Sequence, residues 1–197
     1  MPPEGRPQAQ ACVSRERPPG RKLLTLPFGR LRDWCREVEV SYTAETGEQS
    51  ARYVGAGDAR RIEFRSGTVG RLVAPGSATD GRYGLYRWDM PARAGGADPH
   101  FHRSFSEAFF VVAGTVALYD GTRWIESNVG DFVYVPEGGI HGFRNDSDDA
   151  ASMLILFAPG APREQYFEEL AEIGWSGRSM TDEERTAFLA RHDQYMI

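Results

Sequence analysis

"GGADPHFHRSFSEAFFVVAG", residues 95–114, places His100 and His102 one residue apart and Glu107 five positions after the second of them. The chain has only four histidines, so this pairing is the feature to explain first. In an extended strand, residues i and i+2 project from the same face. Pro99 favours an extended entry because it restricts its predecessor and cannot donate to a ladder. His100 and His102 then point together, about 6–7 Å apart along the strand, while Phe101 points away. Two such imidazoles can chelate one ion. A tight turn into the next apolar run returns Glu107 to the same place.

Working outward, the chain from Arg61 alternates short apolar runs with Gly, Pro, Asn and Asp breaks. The runs are "RIEF", "VGRLVA", "GLYRWDM", "EAFFVVAG", "TVALYDG", "RWIE", "DFVYVP", "HGFRN" and "SMLILFAPG". Runs of this length, rich in Val, Phe, Tyr and Trp, predict an all-β sandwich or barrel. Turns are expected at Ala113-Gly114 and at Asp120-Gly121, the second a type I′ hairpin signal. After Pro159 the pattern becomes helical. "REQYFEELAEIG" puts Tyr166, Phe167, Leu170 and Ile173 on one face, with Gly174 as the expected stop. "TDEERTAFLARHD" opens with Thr181 and Glu184 in capping-box spacing. Both helices are expected on the outside of the β-body. There is no internal repeat, which predicts one barrel rather than two.

A third histidine lies in "GDFVYVPEGGIHGFRN", residues 130–145. "PEGG" is turn chemistry and "IHGF" resumes a strand that a β-barrel can bring beside the first pair. Taken singly, each histidine reads more naturally as a hydrogen-bonded core or surface residue than as a ligand; their combined spacing is what argues otherwise. His192, late in the last predicted helix, is expected exposed and uninvolved.

These spacings resemble the cupin superfamily. Its first motif, G-x5-H-x-H-x3or4-E-x6-G, is matched by His100, His102, Glu107 and Gly114, with Ala94 at the expected first glycine and Gly95 one place late. Its second, G-x5-P-x-G-x2-H-x3-N, is matched at every defined position by Gly130, Pro136, Gly138, His141 and Asn145. The resemblance spans Arg61 to Leu170. It implies a jelly-roll β-barrel, usually a homodimer, with one divalent transition metal per chain held by His100, His102, Glu107 and His141. Three imidazoles and a carboxylate suit Fe, Mn, Ni, Zn, Co or Cu better than Ca or Mg. Four protein ligands leave up to two octahedral positions free, unlike a closed structural zinc site.

The layout is most similar to small quercetin-dioxygenase-like bacterial cupins, which share "PHxH", "GDFVYVPxGxxHGFRN" and "FAPG" followed by an acidic helix. That resemblance implies oxygenation of an enolic or phenolic, flavonol-like small molecule, with dioxygen as second substrate and Glu107 as catalytic base. As alternatives it also permits a metal-dependent cyclase or isomerase, a non-enzymatic cupin that binds a small molecule, or a barrel whose pocket is filled. By alternation, Glu107, Phe109 and Val111 share one inward face, Tyr86, Trp88 and Met90 another, and His141 and Phe143 a third. Trp88, Phe109, Val111 and Phe143 are accordingly the expected substrate pocket.

Composition sets the remaining bounds. The 197 residues are 41% hydrophobic, enough for one buried core. The expected organisation is a disordered basic arm over 1–22, an extension over 23–60 packing on the barrel, a cupin barrel over 61–160 and C-terminal helices over 161–197. Net charge is −5, yet residues 1–36 carry eight Lys/Arg against three Asp/Glu. The acidic remainder argues against a nucleic-acid partner. No apolar run is long enough for a membrane span, and the N-terminus has no secretory apolar segment, so the protein is expected in the cytoplasm. Cys12 and Cys35 are read as free thiols outside any metal or redox spacing. Asn145-Asp146-Ser147 is a glycosylation sequon without functional weight, and "GAGDAR" at 55–60 lacks the setting of a dinucleotide loop.

Overall fold

The stretch Gly84–Met90 buries Gly84, Tyr86, Trp88 and Met90 while Arg87 faces solvent. Such period-two burial marks a strand with one face on a core, and it recurs along the chain. In the computed structural model, which describes residues 41–197, the strands are β1 (Arg60–Glu63), β2 (Val69–Ala74), β3 (Gly84–Met90), β4 (Ala97–Phe101), β5 (Ser106–Ala113), β6 (Val116–Tyr119), β7 (Trp124–Ser127), β8 (Phe132–Val135), β9 (His141–Arg144) and β10 (Ala151–Ala158). Helices α1 (Arg163–Ser176) and α2 (Asp182–Arg191) follow, then a short strand β11 (Tyr195–Met196). Each apolar run named above overlaps a strand. β11 is the strand that sequence reasoning missed, because two residues carry no periodicity.

The chain divides into two units, Met1–Ser50 and Ala51–Ile197. In the first, residues 41–50 are exposed and form no helix or strand. The basic arm, Cys12, Cys35 and residues 23–40 lie outside the described residues. No helix among the described residues is long and apolar enough to cross a membrane.

In the second unit all strand pairs are antiparallel and form two sheets of a jelly roll. One has the order β1-β2-β3-β10-β5-β8, the other β11-β4-β9-β6-β7. Phe143 of the second sheet packs against Trp88 and Phe109 of the first, with ring centroids 6.2 and 5.8 Å apart. Tyr86, Val111, Met153 and Val116 are fully enclosed in the same core. The approach loop to β4 runs so close to β9 that a Cβ on Gly96 would meet the Phe143 carbonyl oxygen at 2.0 Å. A glycine is therefore required one place past Gly95.

The helices start as the sequence predicts, but α1 ends later. It continues through Gly174 to Ser176, and Gly177 takes the left-handed conformation (φ 68°) that closes it. Gly174 lowers helix propensity without forbidding helix; the stop falls where the backbone turns left-handed. α2 has the expected capping box: Thr181 Oγ1 accepts from Glu184 N at 3.2 Å, and Glu184 accepts from Thr181 N at 3.0 Å. Phe167 of α1 packs on Trp88 and Tyr86, and Tyr166 stacks on Phe188 of α2. The helices thus bury their apolar faces over the core.

Asn145 explains its own place in the second motif. Its Nδ2 donates to the Pro91 and Asp149 carbonyls, both at 2.8 Å, and its Oδ1 accepts from Ser147 N and Oγ. It is 1% exposed, so the sequon amide is already consumed within the fold. Asn145→Ala removes all four of these side-chain hydrogen bonds, which we expect to cost about 2 kcal/mol. A urea midpoint unchanged by the substitution would contradict this role.

Candidate metal centre

His100 and His141 are direct partners across the β4–β9 ladder, which brings their ring centroids within 4.3 Å. His102 follows as the chain leaves β4, its ring 4.8 Å from that of His100. Glu107 arrives from the other sheet, on β5, opposite Val135 of β8 and Phe157 of β10. Each of the four residues is at most 5% exposed. Their candidate ligand atoms all lie within 4.8 Å of one another.

Backbone carbonyls orient the three rings. His100 Nδ1 donates to Asp98 O at 2.7 Å, His141 Nδ1 to Gly139 O at 2.9 Å, and His102 Nδ1 to Asp193 O. A carbonyl can only accept, so each Nδ1 carries a proton and each Nε2 is left as the inward nitrogen. Asp193 is itself fixed. It sits at φ 53°, a region Asp tolerates better than most residues. Its carboxylate accepts from Ser104 N at 2.8 Å and Arg103 N at 3.0 Å. Gly138 N donates to His102 O at 2.7 Å, tying the turn of the second motif to the first.

The inward atoms demand a positive charge between them. Glu107 Oε2 lies 2.8 Å from His141 Nε2 and 3.2 Å from His102 Nε2. His102 Nε2 is buried and makes no hydrogen bond. Nitrogen lone pairs facing a carboxylate repel one another unless a proton or a cation intervenes. Coordination would account for the orphaned nitrogen, and three imidazoles with one carboxylate are a donor set that divalent transition ions accept. The four residues fit a metal site.

Electrostatics follow from burial and crowding. Burial, reinforced by neighbouring His141, pushes His100 down to about 3, so it stays a neutral ligand. Burial opposes ionisation of Glu107, but the close approach of His102 and the hydrogen bond and charge of His141 outweigh it and hold the carboxyl well below the ordinary carboxylate range. Burial also opposes charge on His141, yet its hydrogen bond and attraction to Glu107 move it upward.

His100 and Glu107 open onto a cavity of about 220 Å³, small beside the usual ligand-pocket range of about 300–1,000 Å³. Trp88, Phe143 and Phe167 supply apolar wall, and Arg163, Thr68 and Gln194 polar wall.

Comparison with known proteins agrees with this architecture. Residues 86–157 match the cupin domain family. An uncharacterized protein of Streptomyces coelicolor is 33% identical over 99 residues, 45% of this chain and 90% of that one. The chain belongs to the cupin superfamily. A quercetin 2,3-dioxygenase of Bacillus subtilis is 27% identical over 133 residues, covering 68% of this cupin. That match covers 35% of the dioxygenase, so the cupin spans about a third of the relative's length. Among solved structures, an RmlC-like cupin from Shewanella frigidimarina superposes with a TM-score of 0.50 at 17% identity, over 59% of this chain and 96% of that chain.

Within this cupin the structure brings together His100, His102, Glu107 and His141, and it sets Trp88 and Phe143 on the cavity wall. Phe109 and Val111 point inward but do not line the cavity. Phe109 packs behind the centre, its ring 5.8 Å from that of His141, and Val111 is fully enclosed in the core. The reason is distance along the strand: at about 3.3 Å per residue, β5 leaves the Glu107 end of the barrel within two residues. His192 is not exposed either. Its side chain is 8% exposed and packs on Phe188 and Tyr166. Sequence reasoning also missed Asp193 and Arg163, because neither belongs to a motif and both reach the centre only through tertiary packing.

The shifted groups set a pH optimum for the metal-free cupin. Below 6.5, the ordinary value for His100, the unfolded chain takes up a proton that the folded chain refuses down to about 3. Stability therefore falls on acidification, by up to about 1.4 kcal/mol per pH unit per proton. Above 6.5, His141 works in the opposite sense, because its raised folded value gives stability that is lost as pH rises. Thermal midpoints of chelator-treated protein should peak near pH 6.5; a midpoint that climbs steadily into acid would refute the assignment.

Proposed function

We propose that this cupin is a metal-dependent enzyme that oxygenates an enolic or phenolic small molecule, with dioxygen as second substrate. The observation that carries the reading is the convergence of three imidazoles and one carboxylate, two of which, His100 and Glu107, open onto an aromatic cavity. The likeness to the Bacillus quercetin 2,3-dioxygenase supports the choice of reaction. His100, His102, Glu107 and His141 are the residues that would hold a divalent transition ion, which supplies Lewis acidity toward an enolic or phenolic oxygen. Trp88, Phe143 and Phe167 receive the flat apolar body of the substrate and exclude water from it. Glu107, held ionised by its histidine neighbours, is the chain's proton acceptor at that oxygen.

Glu107→Gln should retain most of its metal, measured by elemental analysis, yet lose about 100-fold or more in turnover. The assay is oxygen uptake over a panel of phenols and enols. Full turnover in this variant would remove Glu107 from the reaction. Conversion of a substrate without oxygen would replace the dioxygenase reading with that of a Lewis-acid cyclase or isomerase. No conversion of a bound ligand would leave a small-molecule-binding cupin.

The same reading includes a homodimer. β8 is the edge of its sheet, and its Phe132 and Tyr134 are 61% and 60% exposed beside Phe110 of β5. An apolar edge of this kind invites pairing with a second copy. Phe132→Glu with Tyr134→Glu should yield a monomer by light scattering; an unchanged mass would place the interface elsewhere.

A further inference from the structure

Arg163 opens α1 and is buried, 4% exposed, on the wall of the cavity that His100 and Glu107 share. Nη1 donates to His192 O at 2.9 Å and Nη2 to Gln194 Oε1 at 3.2 Å. Nε is buried without any partner. Among the described residues no carboxylate pairs with this guanidinium; every ion pair found lies elsewhere. Rings of Tyr166, Phe167, Phe157 and Phe105 surround it at 4.0 to 5.5 Å.

A buried cation with no carboxylate paired to it is costly, and aromatic faces, two neutral acceptors and the more distant charges of Glu107 and Asp193 offset only part of the cost. A neutral donor could make the same two hydrogen bonds without burying a charge, so cross-linking α1 to the C-terminal segment does not explain the choice of arginine. Its position adds to the imbalance. The first turn of a helix is already electropositive, and Pro162 before it provides no side-chain cap. Two further polar groups on the same wall are unspent. Thr68 Oγ1 is buried without a partner, and Gln194 Nε2 finds only the Met196 sulfur at 4.0 Å.

We propose that Arg163 receives a negatively charged planar group of the substrate, a carboxylate or comparable oxyanion, while the apolar body of that substrate lies against Trp88 and Phe143. The guanidinium presents a rigid fork of donors suited to such a group. The inference rests on the small-molecule reading of the site and narrows it: the enolic or phenolic compound is an acid. The four metal ligands and Arg163 then act on different parts of one molecule.

The test compares 4-hydroxybenzoate with 4-hydroxybenzamide by calorimetry on metal-loaded protein. The two probes share shape and phenol and differ in charge. The wild type should bind the carboxylate about tenfold or more tightly than the amide. Arg163→Met should abolish that preference while melting at the same temperature or higher, because an apolar residue of similar length removes an uncompensated charge. Arg163→Lys should keep part of the preference, since charge remains but the planar fork does not. Equal affinity of the wild type for both probes, absence of carboxylate binding at millimolar concentration, or a preference undiminished in Arg163→Met overturns the proposal. Calorimetry judges Arg163 and oxygen uptake judges the reaction, so each can fail without the other.

Discussion

Everything in the second unit is arranged around one uncomfortable contact: three imidazole nitrogens and a carboxylate pressed together out of water. Left alone, the groups would turn away or protonate. Three backbone carbonyls prevent the turning by holding each Nδ1 from behind, and burial holds His100 neutral. The β4–β9 register sets His100 against His141, and the opposing sheet delivers Glu107. Asp193 extends the constraint to the C-terminal segment, since its carbonyl aims His102 and its carboxylate grips the backbone of Arg103 and Ser104. Strand pairing, turn geometry and the last loop all converge on the same few ångströms.

A second arrangement overlies the first. The two sheets provide the ligand set but leave the cavity unfinished, and α1 and α2 complete its wall with Phe167, Arg163 and Phe188. The helices are more than a cover for exposed core. Their inward faces bring a guanidinium with no paired carboxylate to the chamber that His100 and Glu107 also line. In this sense the C-terminal region contributes to the site as directly as the barrel does.

Much of this was legible in the sequence, and the exceptions have physical reasons. Alternation of apolar residues marked nearly every strand, because a half-buried strand writes its burial directly into period two. The four converging residues were legible because ligand spacing on strands is short-range: His100 and His102 are neighbours on one face, and Glu107 and His141 fall at fixed distances from turns. Phe109 and Val111 were placed on the correct face but the wrong part of it, because alternation reports inward or outward and says nothing of where an interior is filled. The end of α1 depended on which glycine adopts the left-handed conformation, which composition alone does not decide between Gly174 and Gly177. Arg163 was invisible for a different reason. A lone arginine at the start of an acidic helix reads as a solvated surface residue, and only packing shows that four aromatic rings close over it.

The division between strands that hold the ligands and a helix that finishes the chamber has a consequence for descent. Arg163, Tyr166 and Phe167 occupy little more than one turn of α1, remote in the chain from every histidine of the centre. On the proposed reading of the site, substitutions in that turn would alter which molecules are admitted while the four converging residues stay intact. A gene duplicate could thus reshape the chamber through a handful of codons in that one turn, leaving the four converging residues as they were.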